Sequence, residues 1–103
     1  MAARRRRVVW SEQARRQVDE TLAYISRDSL QAARSVLQET LSAAASLDTL
    51  AERGRVVPEV GAPEIREVFI HSYRLMYEVS ESEVVVLAFL HGARDFERWR
   101  KGS

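Results

Sequence analysis

The spacing of apolar residues along this chain changes period once, at Gly54, and that change limits the fold more than any other feature. Before it, Ala14, Val18, Leu22 and Ile25 recur at helical intervals, as do Ala33, Val36, Leu37, Thr40, Leu41, Ala44 and Leu47. After it the repeat is two, most cleanly in YRLMYEV (73–79), where Tyr73, Leu75, Tyr77 and Val79 share one parity. Helices followed by strands in separate blocks predict a helical layer on one face of an antiparallel sheet, an α+β domain. RRVVW (6–10) reads as a first strand, and Ser11 as the N-cap of a helix reaching about Arg27, with Glu12 at the positive end of its dipole. Asp28 and Ser29 cap better than they propagate, so a second helix begins there, with Gly54 as its natural stop. The short connection makes the two helices an antiparallel hairpin.

RVVPE (55–59) is a short strand that Pro58 pushes to a sheet edge. Residues 65–71, 73–79 and 83–91 form three more, joined by tight turns at His71–Ser72 and near SES. The last is apolar on both parities from Val84 to Leu90, which predicts a central strand covered on two sides. The expected order is β-α-α-β-β-β-β: an N-terminal strand, an antiparallel helical hairpin, a four-stranded antiparallel meander and a short C-terminal tail (93–100). Residues 1–103 make a single domain.

Cysteine is absent, which removes disulfides, thiolate metal sites and cysteine nucleophiles and suits a reducing cytoplasm. No apolar run is long enough to cross a bilayer, and the N-terminal RRRR leads into VVWSEQARRQ rather than an uninterrupted apolar stretch, so neither membrane association nor a signal peptide is expected. The formal net charge of +1 argues against coating nucleic acid by charge alone. It is unevenly spread, because six arginines and one acid fall in the first sixteen residues.

His71 and His91 stand far apart with no further ligand spacing, so no metal is expected, and no glycine-rich loop offers a phosphate cradle or cofactor site. Glu59, Glu64 and Glu67 read as solvated acids of an edge hairpin. What remains are arginines and aromatics. Arg66, Arg74 and Arg94 come from three strands or strand ends and can gather on the open face of the sheet, or can pair with acids such as Glu78 and guard the sheet against aggregation. Spacing leaves both readings open. On the second, Arg74→Ala costs about 1 kcal/mol. In the tail, Phe96 and Trp99 fall on one side of a helical turn, an aromatic anchor rimmed by Arg98, Arg100 and Lys101.

Several stretches in order, VVWSEQA entering the first helix, an alanine-rich second helix leading to GRVVPE, then IREVFIHSYRLMYEV and VVVLAFLHGARD, resemble the RelE/ParE superfamily of bacterial type II toxins over nearly the whole chain. That resemblance implies one of two activities. The RelE-like branch is a ribosome-dependent, metal-independent mRNA endonuclease. Its chemistry needs a base for the 2′-hydroxyl, cations for the phosphorane and an acid for the leaving oxygen. Arg74 of YRL and Arg94 of GARD match two of that branch's arginines, and Arg66 stands roughly where a strand lysine is expected. Val68 occupies the place of a second lysine, and the tail holds Phe96 and Trp99 but no tyrosine to move the proton.

VPE, REV and LHGARD are closer to the ParE-like branch, which implies poisoning of DNA gyrase by protein contact, without catalysis, and neutralisation by a ParD-like antitoxin. On that reading Arg74, Arg94, Phe96, Arg98, Trp99 and Arg100 are candidate target contacts. Trp10, Tyr24, Leu30 and Val36 are candidate antitoxin contacts, with core burial as the competing role for each. A degenerate member that binds its antitoxin and regulates transcription without toxicity is a third possibility.

Overall fold

A computed structural model describes residues 5–102, with the side chains of Ala93 and Arg94 outside that description. The elements are β1 (Arg7–Trp10), α1 (Glu12–Ser26), α2 (Leu30–Ser46), β2 (Arg55–Val56), β3 (Ile65–Ile70), β4 (Tyr73–Val79), β5 (Glu83–His91) and α3 (Gly92–Gly102). The α+β class and the order of its elements are as expected. The sheet, however, has five strands in the order β1-β5-β4-β3-β2, because β1 pairs parallel with β5 while β2 to β5 form the antiparallel meander. The middle strand is therefore β4, with β5 and β3 on either side of it, and β5 bears apolar residues on both faces. Two-residue β2 lies at the edge, where Pro58 ends its pairing.

Both caps fall where the sequence puts them. Ser11 accepts from the Ala14 amide at 3.0 Å, and Ser29 from Ala32 at 3.0 Å. The Ser11 hydroxyl also donates to the Leu87 carbonyl at 3.2 Å. That carbonyl belongs to the extra residue of a bulge: Met76 lies opposite Ala88 and Tyr77 opposite Val86, leaving Leu87 unmatched. The bulge exchanges the parity of β5, so Val84 and Val86 before it and Phe89 after it all face the helical hairpin.

The second helix ends at Ser46, eight residues short of the expected stop, and residues 47–53 are turns. Gly54 serves a different purpose. A Cβ there would stand 2.5 Å from the Glu67 carbonyl oxygen and 2.5 Å from the Tyr77 hydroxyl, so only glycine lets the turn lie against β3 and β4. The Tyr77 hydroxyl accepts from the Gly54 amide at 2.9 Å and donates to the Ala51 carbonyl at 2.8 Å. A fully buried phenol thus replaces the missing helical turns as the anchor of this segment, and burial raises its pKa.

Two cores lie on the two faces of the sheet. The hairpin covers the larger, in which Ala14, Val18, Val36 and Leu47 meet Val68, Leu75, Tyr77 and Val86. The smaller joins Val57, Met76, Ala88 and Leu90 to Phe96 of α3. Among the described residues no helix is long and apolar enough to cross a membrane.

Candidate functional site

The two-residue turn sets the register of β3 on β4: Ile70 lies opposite Tyr73, Phe69 opposite Arg74 and Arg66 opposite Tyr77. His71, at the first turn position, takes a φ of 56°, and its Nε2 stands 2.7 Å from Glu39 of α2. This register separates the strand arginines. Arg66 shares the hairpin face with Tyr77 and donates to the Gly54 carbonyl at 2.9 Å, whereas Arg74 lies on the opposite face with Met76 and Leu90. The reading in which the arginines gather on one open face therefore fails for Arg66 and Arg74, because this register puts even-numbered residues of β3 on the same face as odd-numbered residues of β4. Arg94 lies within the first turn of α3, but its side chain is outside the described residues.

Arg74 is only 5 % exposed. Its Nε donates to Glu67 at 2.6 Å, and its two terminal nitrogens donate to the two Glu59 oxygens at 2.8 and 2.7 Å. The other Glu67 oxygen accepts from Arg55 Nε at 2.7 Å, and the Arg55 guanidinium lies 5.0 Å from the centre of the exposed Phe69 ring. The Arg74 guanidinium in turn stands 5.3 Å from the centre of the Phe96 ring. Hydrogen bonding to Arg74 holds the Glu59 carboxyl below its ordinary pKa, and the same contact raises that of Arg74 despite its burial. Neither solvated acids nor pairing with Glu78 describes this arrangement. Glu67 is 1 % exposed and is the centre of an ionic node. Its position was readable from the turn: with two residues between the strands, Glu67 becomes a diagonal neighbour of Arg74.

Glu59 reaches the node from the loop between β2 and β3. That loop reverses where the amides of Val60 and Gly61 both donate to the Val57 carbonyl, at 3.1 and 2.9 Å, with Gly61 at a φ of 75°. Arg74 thus ties together the loop, β3, β4 and α3.

The other candidates fall into three environments. Phe96 is 1 % exposed, so as a core residue of the second face it presents no surface to a partner, and Val36, at 7 %, is likewise hairpin core. Trp10 is half-buried against the hairpin core, and Leu30 is 60 % exposed. Leu30, Leu37 and Leu41 form an outward apolar stripe on α2 that the sequence treated as partly internal. Arg98 and Arg100 are exposed on α3. Trp99 is half-buried, with its ring 5.6 Å from that of Phe96 and its indole nitrogen donating to Gln13 of α1 at 3.1 Å.

Tyr24, Arg98 and Trp99, drawn from the antitoxin and target sets, line one cleft of about 750 Å³ between α1 and α3. Its floor is Tyr73 stacked on Phe89 at 5.1 Å, with His91 tilted against Tyr73 at 5.0 Å. The amide of His91 donates to Asp95 at 3.1 Å, which places a carboxylate in the first turn of α3. Among the described residues no three of histidine, aspartate and glutamate gather as metal ligands.

One solved structure of this fold, described as the chromosomal ParDE TA system from P. aeruginosa, superposes with a TM-score of 0.68. It is 16% identical, over 86% of this chain and 98% of that one. No curated protein matches the sequence. A family model, described as the ParE toxin of the type II toxin-antitoxin system parDE, matches residues 8–96, from β1 to the buried Phe96 of α3. The chain belongs to the ParE toxin family of type II toxin–antitoxin systems.

Proposed function

We propose that this toxin arrests growth by binding DNA gyrase, not by cleaving RNA, and that a ParD-like antitoxin encoded beside it neutralises it. The family supports the toxin and its need of an antitoxin. The observation favouring contact over catalysis is the state of Arg74. A nuclease cation must meet charge that develops on the substrate, so its guanidinium has to be open to the scissile phosphate. Here three nitrogens are taken by Glu59 and Glu67, and the side chain is buried beneath Phe96. Freeing it would leave buried Glu67 with half-exposed Arg55 as its remaining ion partner, at a cost of several kcal/mol. Arg66 is turned to the other face and bound to a backbone carbonyl, so it cannot join Arg74 at one phosphate. The tail also lacks the phenol that a proton-transfer step requires.

Exposed Arg98 and Arg100 beside half-buried Trp99 then form the surface that meets the target, an aromatic anchor with arginines around it. Induced without antitoxin, the protein is expected to switch on the DNA-damage response and to inhibit supercoiling by purified gyrase. Messenger RNA cut in the ribosomal A site soon after induction, with gyrase unaffected, would reverse the assignment. Normal growth at confirmed soluble levels would instead mark a degenerate regulator.

A further inference from the structure

The start of α1 is fixed to β5 on either side of Gln13. Two residues before it, the Ser11 hydroxyl donates to the Leu87 carbonyl at 3.2 Å, at the bulge. One turn after it, the Gln17 side-chain oxygen accepts from the Phe89 amide at 2.8 Å. Gln13 therefore projects from a stretch of helix held to the sheet at both ends. Its own side-chain oxygen reaches α3, where it accepts from the Trp99 indole nitrogen at 3.1 Å. Phe96 packs against the same indole at 5.6 Å between ring centres, and Phe96 is itself buried beside the Arg74 guanidinium. Trp99 is thus oriented by ring packing and by a hydrogen bond together, and its side chain has only two torsions for them to fix. Gln13 is exposed, and the buried residues of α1 are Ala14 and Val18, so its side chain is no part of the core.

Resting on the gyrase reading above, we propose that Gln13 is a positioning residue for the target-binding surface. It presents Trp99 in the orientation that the target meets, and it satisfies the indole N–H once that surface is covered. The second role sets the size of the effect. Trp99 is half-buried, so in the free protein water can take the place of Gln13 at the indole nitrogen at small cost. In the complex the target excludes that water, and an indole has a donor that must find an acceptor. Without Gln13 the covered N–H is unsatisfied, and the penalty falls on the complex alone. Losing the bond also frees the ring to leave its bound orientation, a further cost that association must meet. Removing Gln13 therefore weakens binding far more than it destabilises the fold.

Calorimetric titration of the full chain and its variants with purified gyrase tests this directly. Gln13→Met keeps the length of the side chain but offers only a weak acceptor, and it is expected to weaken binding about tenfold. Its Tm is expected to stay within about 3 °C of the parent. Gln13→Glu keeps an oxygen acceptor and suits the first turn of a helix, so it should stay within about threefold of parental affinity. In a Trp99→Phe background the donor is gone, and Gln13→Met is expected to change affinity by less than about twofold. In the free protein, exchange of the Trp99 indole proton with water, read by NMR and assigned by its loss in Trp99→Phe, should be faster in Gln13→Met but not in Gln13→Glu. The proposal is overturned if Gln13→Met binds like the parent, or if Gln13→Glu is as weak as Gln13→Met. It is equally overturned if indole exchange does not respond to Gln13→Met. A loss that persists in Trp99→Phe would make Gln13 a direct target contact instead, and a Tm that falls in step with affinity would make it a structural residue. In each of those cases the gyrase reading itself survives. If the unmodified protein fails to bind gyrase, that reading and the role of Gln13 fall together.

Discussion

The two faces of the sheet are held by different physics, although adjacent residues of one strand supply both. Leu75 points to the hairpin face and is fully buried among aliphatic side chains from α1, α2 and β5. Arg74, one residue earlier, points the other way into two carboxylates and an aromatic ring. The first face uses apolar burial, which is non-directional and tolerant of repacking. The second uses directional charge pairing beside a small apolar cluster, which fixes the position of the 57–64 loop and of α3 but fails sharply when one partner is lost. In this domain the large core supplies stability, and the ionic node supplies the placement of the segments that form the surface.

The largest expected effects come from removing either neighbour. Leu75→Ala should cost roughly 2–5 kcal/mol, the range for deleting a buried leucine side chain. Arg74→Ala should cost roughly 3–5 kcal/mol, because Glu67 is left buried with only half-exposed Arg55 beside it. That is well above the value near 1 kcal/mol suited to a surface arginine. Urea unfolding gives the totals, and amide exchange distinguishes the two. Leu75→Ala should lower protection everywhere, whereas Arg74→Ala should first expose the 57–64 loop and α3. The comparison collapses if Arg74→Ala opens the hairpin as readily as the tail. Arg74→Met combined with Glu67→Met sharpens it, since replacing the ions with apolar groups should recover most of the loss.

A second contrast uses the one buried phenol of the apolar face. Tyr77→Phe keeps the ring in the core but leaves the Gly54 amide and the Ala51 carbonyl without their partner. The expected loss is about 1–3 kcal/mol, concentrated in residues 47–54. A change below about 0.5 kcal/mol by thermal or urea unfolding would mean that the turn is held by the packing of Leu47 and Ala51 alone.

How much of this was legible beforehand varies with the physics of each face. The hairpin, its two serine caps, the edge position of β2 and the meander are local signals of period and turn chemistry, and these are written in short windows of sequence. The parallel pairing of β1 with β5 joins residues more than seventy positions apart, and nothing local to RVVW carries it. The early end of α2 was hidden because Gly54 looks like a helix stop. Its actual constraint is steric, from Glu67 and Tyr77, and appears only once the sheet is assembled. The ionic node was partly within reach. A two-residue turn at His71–Ser72 already puts Arg66 and Arg74 on opposite faces and Glu67 diagonal to Arg74. What no local pattern carries is Glu59, which a loop delivers, and the meeting of α1 with α3 that makes the cleft.

The smallest expected effect concerns acid. Hydrogen bonding to Arg74 holds the folded-state pKa of Glu59 below its ordinary value of 4.5. As pH falls through that value the unfolded chain takes up a proton at this position before the folded protein does. Stability from the pairing is therefore fully present above about 4.5 and declines as pH drops through the folded value. Because Glu59 keeps some contact with solvent, its share is modest, on the order of 1 kcal/mol. Glu59→Gln should remove this share at neutral and higher pH and flatten the acid limb of the stability curve, leaving the shape of the alkaline limb unchanged. Urea midpoints measured between about pH 3 and 7 test it, since that range spans the ordinary glutamate value. A parallel, uniformly lowered curve for Glu59→Gln would mean that Glu59 contributes through packing of the loop, and that the charge on the second face is balanced at Glu67 alone.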